Sequence, residues 1–206
     1  MDSLQQQVEK GIEILKKGGI IAFPTDTVYG LGCDAFCLRA VERIYEVKRR
    51  PRHLPFPLLL GDISQVTTVA KPLSGIALSL ARRFWPGALT LVLPKSDSLP
   101  LYLSSGGTVA VRIPDHPICF ALIQGIGSPL VGTSANISGS YSALTADEVE
   151  QQLRERVDFI VDGGKCPGGN ESTVVDATGV VPRILRQGII PRHEIETLWS
   201  AECVLP

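Results

Sequence analysis

The stretch Gly19-Ile20-Ile21-Ala22-Phe23-Pro24-Thr25-Asp26-Thr27-Val28-Tyr29-Gly30-Leu31-Gly32 decides how this 206-residue chain is read. Ile20 to Phe23 form a short apolar run, and Pro24 breaks it into small polar residues and glycines. A run of that kind is the pattern of a buried strand, and the residues after Pro24 have the pattern of a loop that faces a ligand. Thr25 and Thr27 carry hydroxyls that both donate and accept, Asp26 can orient a cation or an amine, and Gly30 and Gly32 let backbone approach a ligand closely. A plain strand-turn with Asx chemistry explains Asp26 but not the whole string.

Working outward, Leu4, Val8, Ile12 and Leu15 recur at helical spacing before Gly18-Gly19 and predict an amphipathic helix ahead of the strand. Arg39 to Arg50 reads as a second helix, apolar at Val41, Ile44, Tyr45 and Val47, which Pro51 ends. Strands and helices then alternate: a strand at Pro57-Leu58-Leu59-Leu60, a helix from Leu73 to Phe84 stopped by Pro86-Gly87, and a strand from Leu89 to Leu93. Val109, Val111 and Ile113 alternate with Ala110 and Arg112, which turns Arg112 to the face opposite those three. His116 to Ile126 is predicted helical, and Pro129 to Gly132 a strand feeding into Thr133-Ser134-Ala135-Asn136. Thr145 with Glu148 matches a capping box for a helix through about Arg154. Phe159-Ile160-Val161, Thr173-Val174-Val175 and Arg183-Ile184-Leu185 complete the strands. The expectation is one α/β domain over residues 1–206, with a twisted mixed sheet, a concave face and no internal repeat.

Composition narrows the function by exclusion. A chain that is 44% hydrophobic and 20% charged has ordinary globular usage. Its formal net charge of -1 argues against a broad electrostatic footprint for nucleic acid, so any RNA contact would have to be local. Cys33, Cys37, Cys119, Cys166 and Cys203 make an odd set without CxxC spacing, and the chain opens on a polar amphipathic segment. Reduced thiols and a cytoplasmic location are the expectation, with no structural zinc site. No run of 18 apolar residues suggests a membrane span.

Two short signals far apart carry the chemistry. Lys48-Arg49-Arg50-Pro51 sets cations at a helix C-terminus, where the helix dipole favours them, and Ser134-Ala135-Asn136 offers small hydrogen-bonding groups. Together they could grip a triphosphate. Each has a plainer reading: the basic run caps a helix and stays solvated, and Asn136-Ile137-Ser138-Gly139 builds a turn. Gly163-Gly164-Lys165 and Gly168-Gly169 read as a mobile loop rather than a phosphate cradle, and the P-loop string is missing. Trp85-Pro86-Gly87 reads as core packing, and His53, His116 and His193 have no partner arrangement.

Six segments in order, Pro24 to Leu31, Lys48 and Arg50 with Pro51, Phe84-Trp85-Pro86-Gly87-Ala88-Leu89-Thr90, Val111-Arg112-Ile113-Pro114, Gly132 to Gly139 and Ser172-Thr173-Val174-Val175-Asp176, closely resemble the YrdC-type L-threonylcarbamoyl-adenylate synthase family. The likeness spans nearly the whole chain. It implies a YrdC-like fold with a deep concave basic cleft, in the short single-domain form. It also implies an activity that joins L-threonine, bicarbonate or carbon dioxide, and ATP into threonylcarbamoyl-adenylate and pyrophosphate, for handover to a downstream tRNA-modifying complex. In that reading Lys48, Arg50, Ser134 and Asn136 are catalytic, gathered around the phosphates, with Arg52, Thr108, Ser142 and Arg186 as further nucleotide contacts. Thr25, Arg112, the backbone of Gly132 and Ser172 hold threonine, with Arg112 pairing its carboxylate. Magnesium arrives with ATP, and no residue is assigned to bind it.

The chain departs from the pattern at Arg49, where many relatives have a small residue, and at Arg52-His53-Leu54-Pro55-Phe56-Pro57. Rival readings use the same cleft for double-stranded RNA or ribosome assembly, or for carbamoyl-phosphate chemistry. Against the first, only 6% of residues are aromatic and no stacking platform is evident.

Overall fold

The computed structural model describes residues 2–73 and 75–202; Cys203 lies outside them. The predicted N-terminal helix is α1 (Leu4–Lys16), and Ser3 and Gln6 cap it reciprocally. It leads into β1 (Ile21–Phe23), whose three residues are all buried. The segment read as a ligand-facing loop regains regular structure at Gly30: β2 (Gly30–Asp34) pairs antiparallel with β1, Phe23 opposite Gly30. The glycines concealed a strand there, because residues without side chains show no period.

Helix α2 (Leu38–Lys48) stops short of Arg50. Arg49 adopts the left-handed conformation at φ 50°, and the amide of Arg50 returns to the Tyr45 carbonyl at 3.0 Å. A glycine takes that conformation without strain, which gives the unusual Arg49 a physical meaning. There follow β3 (Leu58–Leu59), the short α3 (Val66–Val69), α4 (Gly75–Phe84), β4 (Leu89–Pro94) and β5 (Thr108–Arg112). Then come α5 (Pro117–Ile126), β6 (Leu130–Ser134), α6 (Ala146–Leu153), β7 (Phe159–Ile160), β8 (Thr173–Asp176), β9 (Arg183–Arg186) and α7 (Arg192–Glu202), the last not foreseen from periodicity. At α6 only half of the predicted box forms. Thr145 accepts from the Glu148 amide, but Glu148 reaches one residue further back, to the Leu144 amide at 2.6 Å.

Among the described residues the strands form one mixed sheet in the order β7-β1-β2-β6-β3-β5-β4-β8-β9. The strand period of two assigns its faces. Ala22, Leu31, Leu58, Val111, Val131, Leu89, Leu91 and Val175 belong to the larger core cluster, shared with apolar residues of α2, α4, α6 and α7. Their neighbours in sequence point the other way. On the β1 side, Ile21, Phe23, Leu59 and Leu130 join a second cluster with Leu15 of α1 and Leu122 and Ile123 of α5. Towards β8 the same face carries Gly132, Ala110, Arg112, Thr90 and Val174, which line a cavity of about 410 Å³. The mixed, helix-flanked sheet with a concave basic cleft agrees with the expected fold class.

Candidate active site

The cavity floor is sheet backbone. Gly30 and Gly132 face it, and a Cβ on Gly132 would come within 2.5 Å of Leu59 Cγ, so a side chain there would collide with the wall rather than fill open space. Gly32 does not line the cavity. A Cβ there would meet the Val131 carbonyl at 2.5 Å and Phe23 at 2.9 Å, so this glycine permits close strand packing instead of ligand approach.

Lys48, Ser134 and Asn136, far apart in sequence, meet at one end. The Lys48 Nζ donates to the Ser134 carbonyl and to Asn136 Oδ1, both at 2.6 Å. Ser134 Oγ donates to the same Asn136 Oδ1 at 2.7 Å, and Asn136 Nδ2 donates to the Ser140 carbonyl at 2.6 Å. Asn136 is therefore more than a turn residue: it is 4% exposed and ties the cation to the loop after β6. Lys48 is 2% exposed. Burial pushes its ammonium down to about 8, against an opposing pull from Glu171.

Arg50 also lines the cavity, but its guanidinium folds back on its own loop. It donates to the Leu54 carbonyl at 3.0 Å and lies 5.1 Å from the centre of the Phe56 ring. Arg186, at the end of β9, also lines the cavity and donates to the Ser172 carbonyl at 2.9 Å and to a carboxylate oxygen of Glu171. Ser142 donates to the other oxygen of Glu171 at 3.0 Å. Glu171 is the one acid in the cavity wall among the described residues, against Lys48, Arg50, Arg112 and Arg186.

At the other end Arg112 is held on three sides. It donates to Asp26 Oδ1 at 2.6 Å, to Thr27 Oγ1 at 3.0 Å and to the Gly87 carbonyl at 3.0 Å. The pair is nearly dry, with side chains 8% and 14% exposed for Arg112 and Asp26. A guanidinium has five N–H donors, so this anchoring leaves two for a ligand. Asp26 was read as a group to orient a cation, and the cation it orients is Arg112. Thr25 lines the wall, yet its hydroxyl is committed locally: it donates to the Val28 carbonyl at 2.6 Å and accepts from the Thr27 and Val28 amides. Ser172 sits at the seam between the two ends, sharing a 2.8 Å hydrogen bond with Thr90. The Gly132 amide is engaged by the Pro57 carbonyl at 2.9 Å.

Two expected nucleotide contacts are placed elsewhere. Arg52 turns away and pairs with Glu42 of α2 at 3.0 Å, beside a second cavity lined by Leu38, Tyr45 and Tyr102. Thr108 begins β5 on the same face as Ala110 and Arg112, but is exposed and outside the cavity wall. Ser142 stands behind Glu171 rather than in the wall. Glu171 and Thr90 belong to the site and were not among the residues assigned to it from sequence, whereas Thr27, read as a hydroxyl of the ligand-facing loop, does line the cavity. Glu171 precedes a recognised segment by one residue. Thr90 is a hydroxyl in an otherwise apolar strand, and that interruption is the signal that points to it.

The segment 163–171, read as a mobile loop, is tied to the Pro24–Tyr29 loop. Tyr29 donates to the Gly164 carbonyl at 2.9 Å, the Gly169 amide donates to the Thr27 carbonyl at 3.2 Å, and a Cβ on Gly168 would lie 2.8 Å from Thr27 Cα.

Comparison with known proteins agrees with this geometry. The chain is 43% identical over 194 residues to threonylcarbamoyl-AMP synthase of Bacillus subtilis (strain 168), a match covering 93% of this chain and 56% of that protein. With the synthase of Pyrococcus abyssi (strain GE5 / Orsay) it shares 44% identity over 183 residues, covering 88% and 54%. It thus spans about half the length of these two relatives. The crystal structure of P. abyssi Sua5 complexed with L-threonine superposes with a TM-score of 0.90 at 41% identity, over 96% of this chain and 58% of that one. The crystal structure of Escherichia coli YciO superposes at 0.82 with 31% identity, over 91% of each chain. Residues 13–188 match the family model Sua5/YciO/YrdC, described as Telomere recombination. By its sequence, its sheet and the cavity on it, the chain belongs to the Sua5/YciO/YrdC family.

Proposed function

We propose that the chain is an L-threonylcarbamoyl-adenylate synthase that takes L-threonine, bicarbonate or carbon dioxide, and ATP. The observation that carries the reading is one cavity with two cationic ends: Lys48, Arg50 and Arg186 around Ser134 and Asn136, and Arg112 on its buried brace. A relative with 41% identity has been crystallised with L-threonine, which supports the amino-acid half of the assignment.

The neutral threonine amine attacks the carbon of carbon dioxide, forming the N–C bond of a carbamate as one C=O bond opens to an oxyanion and one N–H proton passes to solvent; from bicarbonate, water is lost. A carbamate oxygen then attacks the α-phosphorus of ATP, the bond to the bridging oxygen of the β-phosphate breaks, and pyrophosphate leaves. Both partners in that step are anions, so the barrier is lowered by fixed positive charge and by orientation. Arg112, with two donors unspent, pairs the threonine carboxylate. Lys48, Arg50 and Arg186 face the triphosphate, with Ser134 as a directional hydrogen-bond partner. The donors in the wall suit phosphate rather than a bare cation. Glu171 is occupied by Arg186 and Ser142, and among the described residues no three His, Cys, Asp or Glu side chains gather. Magnesium would thus be held by the nucleotide itself, and no step is assigned to it. The threonylcarbamoyl-adenylate would pass to a tRNA-modifying complex.

The test is pyrophosphate release from ATP, with and without L-threonine and bicarbonate, beside Lys48→Ala. Release that needs both co-substrates and falls by about 10²–10³ in the variant is expected, the size of losing one charge-stabilising donor. Release indifferent to threonine would transfer the site to another acceptor, including carbamoyl-phosphate chemistry. Tight double-stranded RNA binding without turnover would favour the RNA reading.

A further inference from the structure

Glu171 is the element of the cavity that the proposed reaction does not use. A carboxylate in a pocket meant for a triphosphate repels the ligand, yet here it is set among the same groups that would bind phosphate. One oxygen accepts from Arg186 and the other from Ser142 Oγ at 3.0 Å. Burial alone would raise its carboxyl, but Arg186, the Ser142 hydroxyl and Lys48 together hold it below the usual carboxylate range. Its backbone is pinned: the Ile189 amide donates to the Glu171 carbonyl at 3.0 Å, and that carbonyl lies against Gly188, where a Cβ would collide with it. The side chain, 31% exposed, is thus the part free to move.

We propose that the Glu171 carboxylate is an internal stand-in for phosphate, which holds Arg186 and Ser142 in their binding arrangement while no nucleotide is bound and swings out when the nucleotide enters. This rests on the nucleotide reading of the site. The stand-in has two effects. It gives Arg186 and Ser142 a fixed partner while no ligand is bound, and it competes with every polyphosphate, the departing pyrophosphate included. Glu171 is accordingly a residue that sets phosphate affinity, not one that touches the reacting atoms.

Calorimetric titration of ATP, inorganic pyrophosphate and L-threonine into the wild type and Glu171→Gln tests this. The amide keeps the shape and removes the charge. ATP and pyrophosphate are expected to bind on the order of tenfold more tightly to the variant, with threonine affinity within about twofold. Unchanged or weaker polyphosphate binding by a variant of wild-type melting temperature would overturn the proposal and make Glu171 a brace for Arg186. Should Glu171→Gln not fold, Glu171→Asp, which withdraws the carboxylate by one methylene, must show the same direction to a smaller degree, and weaker binding there would overturn it equally. A wild type that binds neither ATP nor pyrophosphate would remove the nucleotide reading and this inference with it.

Discussion

The two ends of the cavity are built on opposite plans. Arg112 issues from β5 in the interior of the sheet order, and its guanidinium is locked by Asp26, Thr27 and the Gly87 carbonyl. Arg50 and Arg186 stand on the loop after α2 and at the end of the edge strand β9, and Arg186 is held by a carboxylate that a ligand would displace. A rigid end suits a ligand of one size and charge, because preorganised donors lose little freedom on binding. The adaptable end suits a triphosphate that arrives with one charge distribution and leaves with another. The contrast predicts that damage to the rigid end appears in folding as well as binding, whereas loss of Arg50 or Arg186 at the other end appears in binding alone.

The largest effect is expected from Arg112→Ala. It leaves Asp26 nearly buried without its cation, the situation in which breaking a buried pair costs about 3–5 kcal/mol. Denaturant unfolding should register that loss, and an unchanged midpoint would show the Asp26 carboxylate to be adequately solvated. Arg112→Lys keeps a charge but not the fork that meets Asp26 and Thr27 together. It should weaken L-threonine by roughly tenfold or more, about 1.4 kcal/mol, with ATP changed much less. Equal losses for the two ligands would erase the division between the ends.

Gly132→Ala sharpens the same comparison from below. Its Cβ would lie 2.5 to 3.0 Å from three carbons of Leu59, so the side chain or the strand must shift. Overpacking of this kind costs about 1–3 kcal/mol. Because Leu59 and Arg112 are register partners on β3 and β5, threonine affinity should fall with stability. Adding Leu59→Ala removes the carbons in the way, and the double variant should regain part of both. Additive losses in the double variant would deny the contact.

How much of this was legible in the sequence follows from which physics each part obeys. The helices α1, α2 and α5 and most strands were readable because apolar spacing is a local property. Arg112's face was readable too, since alternation through Val109, Val111 and Ile113 fixes it. Strand β2 was not, because Gly30 and Gly32 present no side chain to the pattern, and their different roles depend on partners in β1 and β6. Lys48, Ser134 and Asn136 could be named from their motifs, but not the 2.6 Å contacts that hold the ammonium. Glu171 escaped for a related reason. A carboxylate beside expected phosphate ligands contradicts local charge logic, and only the fold brings Arg186 and Ser142 to it. Arg52 and Thr108 were assigned by resemblance, and both lie outside the cavity wall.

At the adaptable end, pH separates stability from binding. The folded value for Lys48, about 8, lies below the ordinary value of 10.5, so between them the unfolded chain binds more protons than the folded one. By linkage, the Lys48 contribution to stability rises with pH through that window, the penalty for burying the charge being relieved as it is lost. Nucleotide binding needs that charge and should move the opposite way, falling towards roughly tenfold per pH unit well above the folded value. Lys48→Met should flatten both trends when each is measured against wild type across that window. If the wild-type ATP affinity does not decline, the ammonium is held charged by something other than its contacts with Ser134 and Asn136.

The smallest effect is expected at Arg52, which tests whether the resemblance or the geometry better locates the phosphate end. Its side chain is 69% exposed and its partner Glu42 41% exposed, the setting in which an ion pair contributes about 0–1 kcal/mol. Since the guanidinium faces the second cavity rather than the first, Arg52→Ala should change ATP affinity by less than about twofold, well below the loss from Arg186→Ala measured alongside. Isothermal titration of the two variants decides the matter. A loss at Arg52 equal to that at Arg186 would mean that the loop of residues 49–57 turns over on nucleotide binding, carrying Arg50 and Arg52 inward together and making the adaptable end larger than the cavity wall described above.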